Sequence, residues 1–205
     1  MSSLIRTHKA LWVAVVTGAL AAGAFHTGTE VGSLINEVRQ EMRDYRAMSA
    51  ARLDSETLAA TSKLRMYLMS RDRRIWSALA EYQAAATVAA AKKHNVDLSL
   101  LVGVIVCESN GDPFAKSGYG AKGMGQVFFP AHADRFTDIK SERDKYDPEK
   151  NIDCAAELLS EYTTRHGIEN GLQIYNVGIT AFRGGKRSPQ YVTKVLHYAQ
   201  QFRHF

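Results

Sequence analysis

The chain has 205 residues, 45% of them apolar and 23% charged, values that suit one globular domain with appendages and argue against a low-complexity or disordered polymer. The formal net charge of +5 suits an anionic polymer as partner. Nucleic acid is disfavoured, because Lys and Arg are scattered and no basic groove interleaved with aromatics is visible. A plain solvated surface is the bland alternative for the charge.

The N-terminus opens with Arg6, His8 and Lys9 ahead of an uncharged apolar run of sixteen residues, Ala10 to Phe25. That run is shorter than the about 20 residues of a bilayer-spanning helix and matches the apolar region of an export signal. Ala22-Gly23-Ala24 has the small-residue form of a cleavage site. Residues 1–27 are therefore expected to be a membrane anchor or a signal segment. Positive charge on the N-terminal side places the remainder across the membrane, away from the cytoplasm.

No glycine or proline occurs between Gly32 and Gly103, so nothing punctuates a helix there. Val31, Ile35, Val38, Met42 and Tyr45 form a short heptad-like stripe, which slips near Ala47 and resumes from Leu58. Residues 28–74 are expected to form a helical stalk that self-associates or docks on a larger assembly; the alternative is that these helices pack on their own domain. A C-terminal domain is expected over 75–205. It starts with an alanine-rich helix from Ile75 to about His94, followed by a turn in which Asp97 caps the next helix. A helix from about Asn151 ends at Gly167, a short one carries Leu172 to Tyr175, and Ala181 to Pro189 is a basic loop. The last helix runs from about Gln190 to Phe202. No sustained period-2 alternation occurs, so the fold class is all-α.

The chemistry concentrates at Glu108. It ends the apolar run Leu98 to Cys107, is followed at once by Ser109, and precedes the turn Asn110-Gly111-Asp112-Pro113 and the glycine-dense stretch Gly118 to Gln126. A carboxyl group at the exit of an apolar helix is held protonated by burial, as a general acid requires; a helix-terminal surface glutamate is the bland alternative. Gly118, Gly120 and Gly123 match the dinucleotide fingerprint in letters but lack a strand before them and any βαβ context. The seven histidines show no metal-ligand spacing, so neither metal nor other cofactor is expected. Cys107 and Cys154 either form a disulfide or are two separate buried thiols.

Glu108-Ser109, a serine nine positions after the glutamate (Ser117) and a glutamine eighteen after it (Gln126) resemble the core of the soluble lytic transglycosylases, relatives of goose-type lysozyme. Asp147-Pro148-Glu149-Lys150-Asn151-Ile152, Ile174-Tyr175-Asn176-Val177-Gly178 and Gln190-Tyr191-Val192 follow in the family's order. The chain departs from the family pattern at three places. Gly125 stands where a side chain would pack behind the glutamine, one extra residue precedes Pro130, and Ile174 replaces an alanine.

The resemblance implies a lysozyme-like domain that cleaves the β-1,4 bond between N-acetylmuramic acid and N-acetylglucosamine in peptidoglycan, forming a 1,6-anhydro ring. It implies Glu108 as the catalytic acid, with Ser109, Ser117, Gln126, Tyr175, Asn176 and Tyr191 binding substrate. Ser117 and Gln126 donate to the sugar or brace their loop, and Tyr175 sits beside the acid to orient it. Asn176 binds the acetamido group or holds its loop, and Tyr191 lines the groove or belongs to the core. With the extra residue before Pro130, the resemblance does not assign a role against a sugar face to either Phe128 or Phe129. Wall opening by a phage particle, a secretion machine or a pilus would follow. The alternatives are a hydrolytic lysozyme using a second carboxylate, Asp112 or Asp147, and a wall-binding scaffold without turnover.

Overall fold

The computed structural model describes residues 55–72, 75 and 77–205. The apolar segment 10–25 and the first half of the expected stalk lie outside them. The described residues are mostly helical and contain no strand: α1 (Ser55–Arg71), α2 (Ser77–Lys93), α3 (Leu98–Ser109), α4 (Pro148–Val177), α5 (Ile179–Arg183) and α6 (Pro189–His204), with short 3₁₀ turns at Phe129–His132 and Arg143–Lys145. None of the described helices is long and apolar enough to cross a membrane.

The centre of the domain is α3. Leu100 through Val106 are all buried, so the helix is apolar all round and has a neighbour on every side. Asp97 caps it, its carboxylate accepting from the Leu100 N–H at 2.8 Å, as the sequence predicts. Its most extensive packing is against α6, and Gly103 is the reason the two helices can lie so close. A Cβ at Gly103 would stand 2.4 Å from the Val195 carbonyl oxygen, a backbone atom that cannot move aside. The buried alanines of α2, Ala80, Ala84, Ala90 and Ala91, allow similar closeness along that helix, which packs on α4.

The expected break at Gly167 is present: with φ 75 and ψ 166 this residue interrupts α4, a conformation that glycine adopts without a steric cost. A compact unit runs from Ala59 to Phe205, so it begins before Ile75. Leu64, Tyr67 and Leu68 of α1 are buried with Val102, Val106 and Phe202. Arg71 stacks over the Tyr198 ring at 4.9 Å. Leu64 and Leu68, one turn apart on α1, bury their side chains against α3 and α6. Cys107 and Cys154 are free thiols in separate clusters, pushed by burial up to about 11 and about 12.

Candidate active site

Glu108 lies in the last turn of α3, half-buried. The helix stops just beyond it because Asn110 takes the left-handed conformation (φ 54, ψ 26) and returns its N–H to the Val106 carbonyl. Two side chains from other helices fix this exit. Gln83 of α2 donates to the Gly111 carbonyl at 3.0 Å, and Arg71 of α1 donates to Asn110 Oδ1 at 2.8 Å. Asp112 is exposed and its carboxylate accepts from the Phe114 N–H at 2.8 Å, ordinary turn chemistry. Asp147 caps α4, accepting from the Lys150 N–H at 3.2 Å. Both candidates for a second carboxylate are thus engaged by local backbone.

Burial pushes the Glu108 carboxyl up to about 7, and a hydrogen bond from Tyr191 works against that rise. The Tyr191 hydroxyl donates to Glu108 Oε1 at 2.6 Å across 83 positions of sequence. Tyr191 is 8% exposed, so this bond sits in the α3–α6 packing and is shielded from water. Tyr175, expected beside the acid as its orienting group, donates instead to the Gly125 carbonyl at 2.7 Å. It still lies near enough for the Glu108 charge to raise its own pKa, after burial, the larger cause. The orienting bond belongs to Tyr191.

Opposite α6, the glycine-rich loop is held from beneath by Asn151. This side chain is 0% exposed. Its Oδ1 accepts from the Gly125 N–H and its Nδ2 donates to the carbonyls of Lys122 and Lys145, each at 2.8 Å. Gly123 is required for this approach, since a Cβ there would stand 2.3 Å from Asn151 Nδ2. At Gly125 the side chain that the family pattern would supply has no room, because a Cβ would meet that of Ala155 at 2.5 Å. The loop therefore closes onto α4 with backbone where a side chain was expected. Sequence reasoning gave Asn151 no role; a polar, poor helix former in the second turn of a helix is the signal that could have flagged it.

Three expected substrate donors prove to be engaged by protein. Ser109 donates to the Met124 carbonyl at 2.8 Å and accepts from the Gly111 N–H at 3.1 Å, tying the helix end to the loop. Gln126, in a left-handed conformation (φ 48), directs both amide hydrogens inward, to Ala115 O at 3.0 Å and Gly123 O at 2.9 Å. Only its carbonyl oxygen is left to face a ligand. Asn176 donates to Ser188 Oγ at 2.7 Å and so holds its loop. Ser117 accepts from the Ala121 N–H at 3.0 Å and keeps its own proton to donate. Phe129 is buried edge-on to Phe136, whereas Phe128 is 45% exposed.

Residues 85–194 match the family described as "Transglycosylase SLT domain". The chain belongs to this family. Over 109 residues it is 35% identical to a transglycosylase of Enterobacteria phage PRD1, an alignment covering 53% of this chain and 39% of the relative. The chain thus spans well under half of that relative's length. The fold is also that of the lytic transglycosylase Slt of Pseudomonas aeruginosa, solved by X-ray as an inactive mutant. The TM-score is 0.52 and the identity 23%, over 85% of this chain and 33% of the other.

Proposed function

We propose that this chain is a peptidoglycan lytic transglycosylase with Glu108 as its single acid and base. The observation that carries the reading is the Glu108 carboxyl itself, half-buried at a helix exit, held up to about 7 and bonded by Tyr191 at 2.6 Å. Such a group keeps its proton near neutral pH and gives it up to a good acceptor. With Tyr191 donating to Oε1, the acidic proton resides on Oε2. Oε2–H protonates the bridging oxygen as the C1–O bond breaks, and positive charge spreads over C1 and the ring oxygen. The carboxylate, stabilised by Tyr191, then takes the proton of the muramic C6 hydroxyl while that oxygen bonds to C1. The 1,6-anhydro ring closes and the acid is restored. No water enters, so no second carboxylate is needed. The engagement of Asp112 and Asp147 in a turn and a cap favours this path over hydrolysis.

Ser117, the Gln126 carbonyl oxygen and Phe128 are the groups best placed to meet the sugars. Residues 1–27 serve as anchor or export signal and hold the domain on the wall side of the membrane. Local wall opening by a virus particle is the role that the phage relative supports; a secretion machine or pilus would use the same chemistry. The test is digestion of purified sacculi by the full chain, with products read by mass spectrometry. Muropeptides about one water lighter than lysozyme products, absent with Glu108→Gln, are expected. Full-mass reducing ends would assign the hydrolase, and sacculi bound but uncut would assign the scaffold.

A further inference from the structure

Lys and Arg are spread along the chain, but the carboxylates that balance them stop at Glu169. Of its 26 Lys and Arg, five fall in residues 170–205, which hold no Asp or Glu; the remaining 21 equal the chain's 21 acids. The whole excess of +5 therefore belongs to the last 36 residues. Arg203 pairs with Asp97 at 3.2 Å. Arg183, Lys186, Arg187 and Lys194 have no carboxylate within ion-pair distance among the described residues, and all four are exposed. Arg187 is braced over the Phe182 ring at 3.9 Å and donates to the Phe182 carbonyl at 2.7 Å, so its charge is fixed in place without being neutralised.

This cationic segment is part of the catalytic site's own frame. It leaves the site at Tyr175, bonded to Gly125, and re-enters at Tyr191, bonded to Glu108. Between them Ser188 is pinned at both its atoms, Oγ by Asn176 at 2.7 Å and N–H by Gln173 at 3.1 Å. Lys194, one turn of α6 beyond Tyr191, lies near enough to Cys107 to act on the thiol beside the acid. A cationic surface here must face something anionic on the substrate or waste the repulsion among its own charges. Both sugars of the glycan are N-acetylated and neutral. On this polymer the negative charge sits in the carboxylates of the peptide stems attached to the muramic lactyl groups.

We infer that Arg183, Lys186, Arg187 and Lys194 form a cationic wall that binds the stem carboxylates flanking the scissile bond and selects stem-bearing over denuded strands. This rests on the transglycosylase reading for its substrate. The test is pelleting of the full chain carrying Glu108→Gln, which leaves the polymer intact, with intact sacculi and with sacculi stripped of stems by an amidase, the lactyl carboxylates this frees being capped as methylamides. Arg183→Gln/Lys186→Gln and Lys186→Gln/Lys194→Gln are compared on that background. Preference for stem-bearing sacculi is expected, weakened by 0.5 M salt and reduced about fivefold in either double variant.

Equal binding to both polymers, or equal losses on both in the variants, would overturn the inference. Loss of binding to phosphatidylglycerol vesicles with stem preference unchanged would also overturn it and give the wall to a lipid surface. Failure of the active chain to release anhydro products would overturn the reading of the reaction while the pelleting result still judges the wall.

Discussion

Two segments lead to the residues around Glu108, the glycine-rich loop and the stretch 178–188 before Tyr191, and they are built on opposite principles. The glycine-rich loop has its carbonyls and amides taken by side chains from three directions: Asn151 from α4, Ser109 from α3 and Tyr175 from beyond Gly167, with Gln126 adding two bonds from within. Polar groups that look like substrate contacts in sequence are used to hold backbone in one place. The 178–188 loop is tied mainly at Ser188 and leaves its charges in water. One wall is fixed by satisfied buried polar groups, which are costly to break; the other meets solvent with groups that contribute little to stability and are free for a ligand.

Removing the group between the walls has the largest effect. Glu108→Gln is expected to lower turnover by 10³-fold or more while binding persists, measured as anhydro-muropeptide release. The same change separates function from stability. Below about pH 4.5 the carboxyl is protonated whether the chain is folded or unfolded. As pH rises toward about 7 the unfolded chain ionises first, so the folded state loses stability across that window and no further above it. Glu108→Gln lacks that loss and should gain up to about 3 kcal/mol over the parent between pH 4.5 and pH 8, at about 1.4 kcal/mol per pH unit. Urea melts at the two pH values read this. A difference independent of pH would mean the carboxyl is not shielded.

Breaking the fixed wall comes next. Asn151→Ala leaves the Gly125 N–H and the Lys122 and Lys145 carbonyls without partners in a buried place. A loss of about 3 kcal/mol is expected by chemical denaturation, with a fall in kcat as the loop loosens. A loss below about 1 kcal/mol would show that the loop holds itself and that the contrast between the walls is only apparent.

The sequence made some of this legible. The half-buried carboxyl at the end of α3, the Asp97 cap, the break at Gly167 and the mostly helical fold of the described residues follow from local chemistry: apolar periodicity, a capping carboxylate, a residue without Cβ. What it did not disclose was partnership across long separations. Nothing local distinguishes Tyr175 from Tyr191, and which hydroxyl reaches Glu108 depends on how closely Gly103 lets α6 approach. Ser109 and Gln126 have the right types for binding sugar, yet the nearest acceptors in the folded loop are its own carbonyls. The partners of Leu64 and Leu68 were hidden in the same way, because these residues continue a stripe whose contacts on α3 and α6 lie far off in sequence.

Tyr191→Phe sharpens the comparison at the point where the walls meet the acid. The ring keeps its packing and only the bond to Oε1 is lost. That bond favours the carboxylate, so its removal should push the Glu108 pKa above its present value of about 7. The alkaline limb of the pH–rate profile should move up by roughly half to one pH unit. Turnover should fall by about tenfold, because the carboxylate formed in the first step is less stabilised. A limb that stays put would return the orienting role to another group; Tyr175→Phe, with its hydroxyl on Gly125, should leave the limb where it is.

The smallest effect is expected on the second wall, and its smallness is the test. Asn176→Ala removes an exposed hydrogen bond to Ser188 at 2.7 Å. Because water can replace both partners, stability should fall by less than about 0.5–1 kcal/mol. Ser188 keeps the bond from its N–H to Gln173, so the loop stays attached but swings more freely about that point. The four cations then lose their common placement while keeping their charge, so KM for stem-bearing sacculi should rise two- to threefold with kcat unchanged. A fall in kcat instead would mean that the loop's position reaches Glu108 through Tyr191, three residues beyond Ser188. The two walls would then differ in charge but share the task of holding the acid.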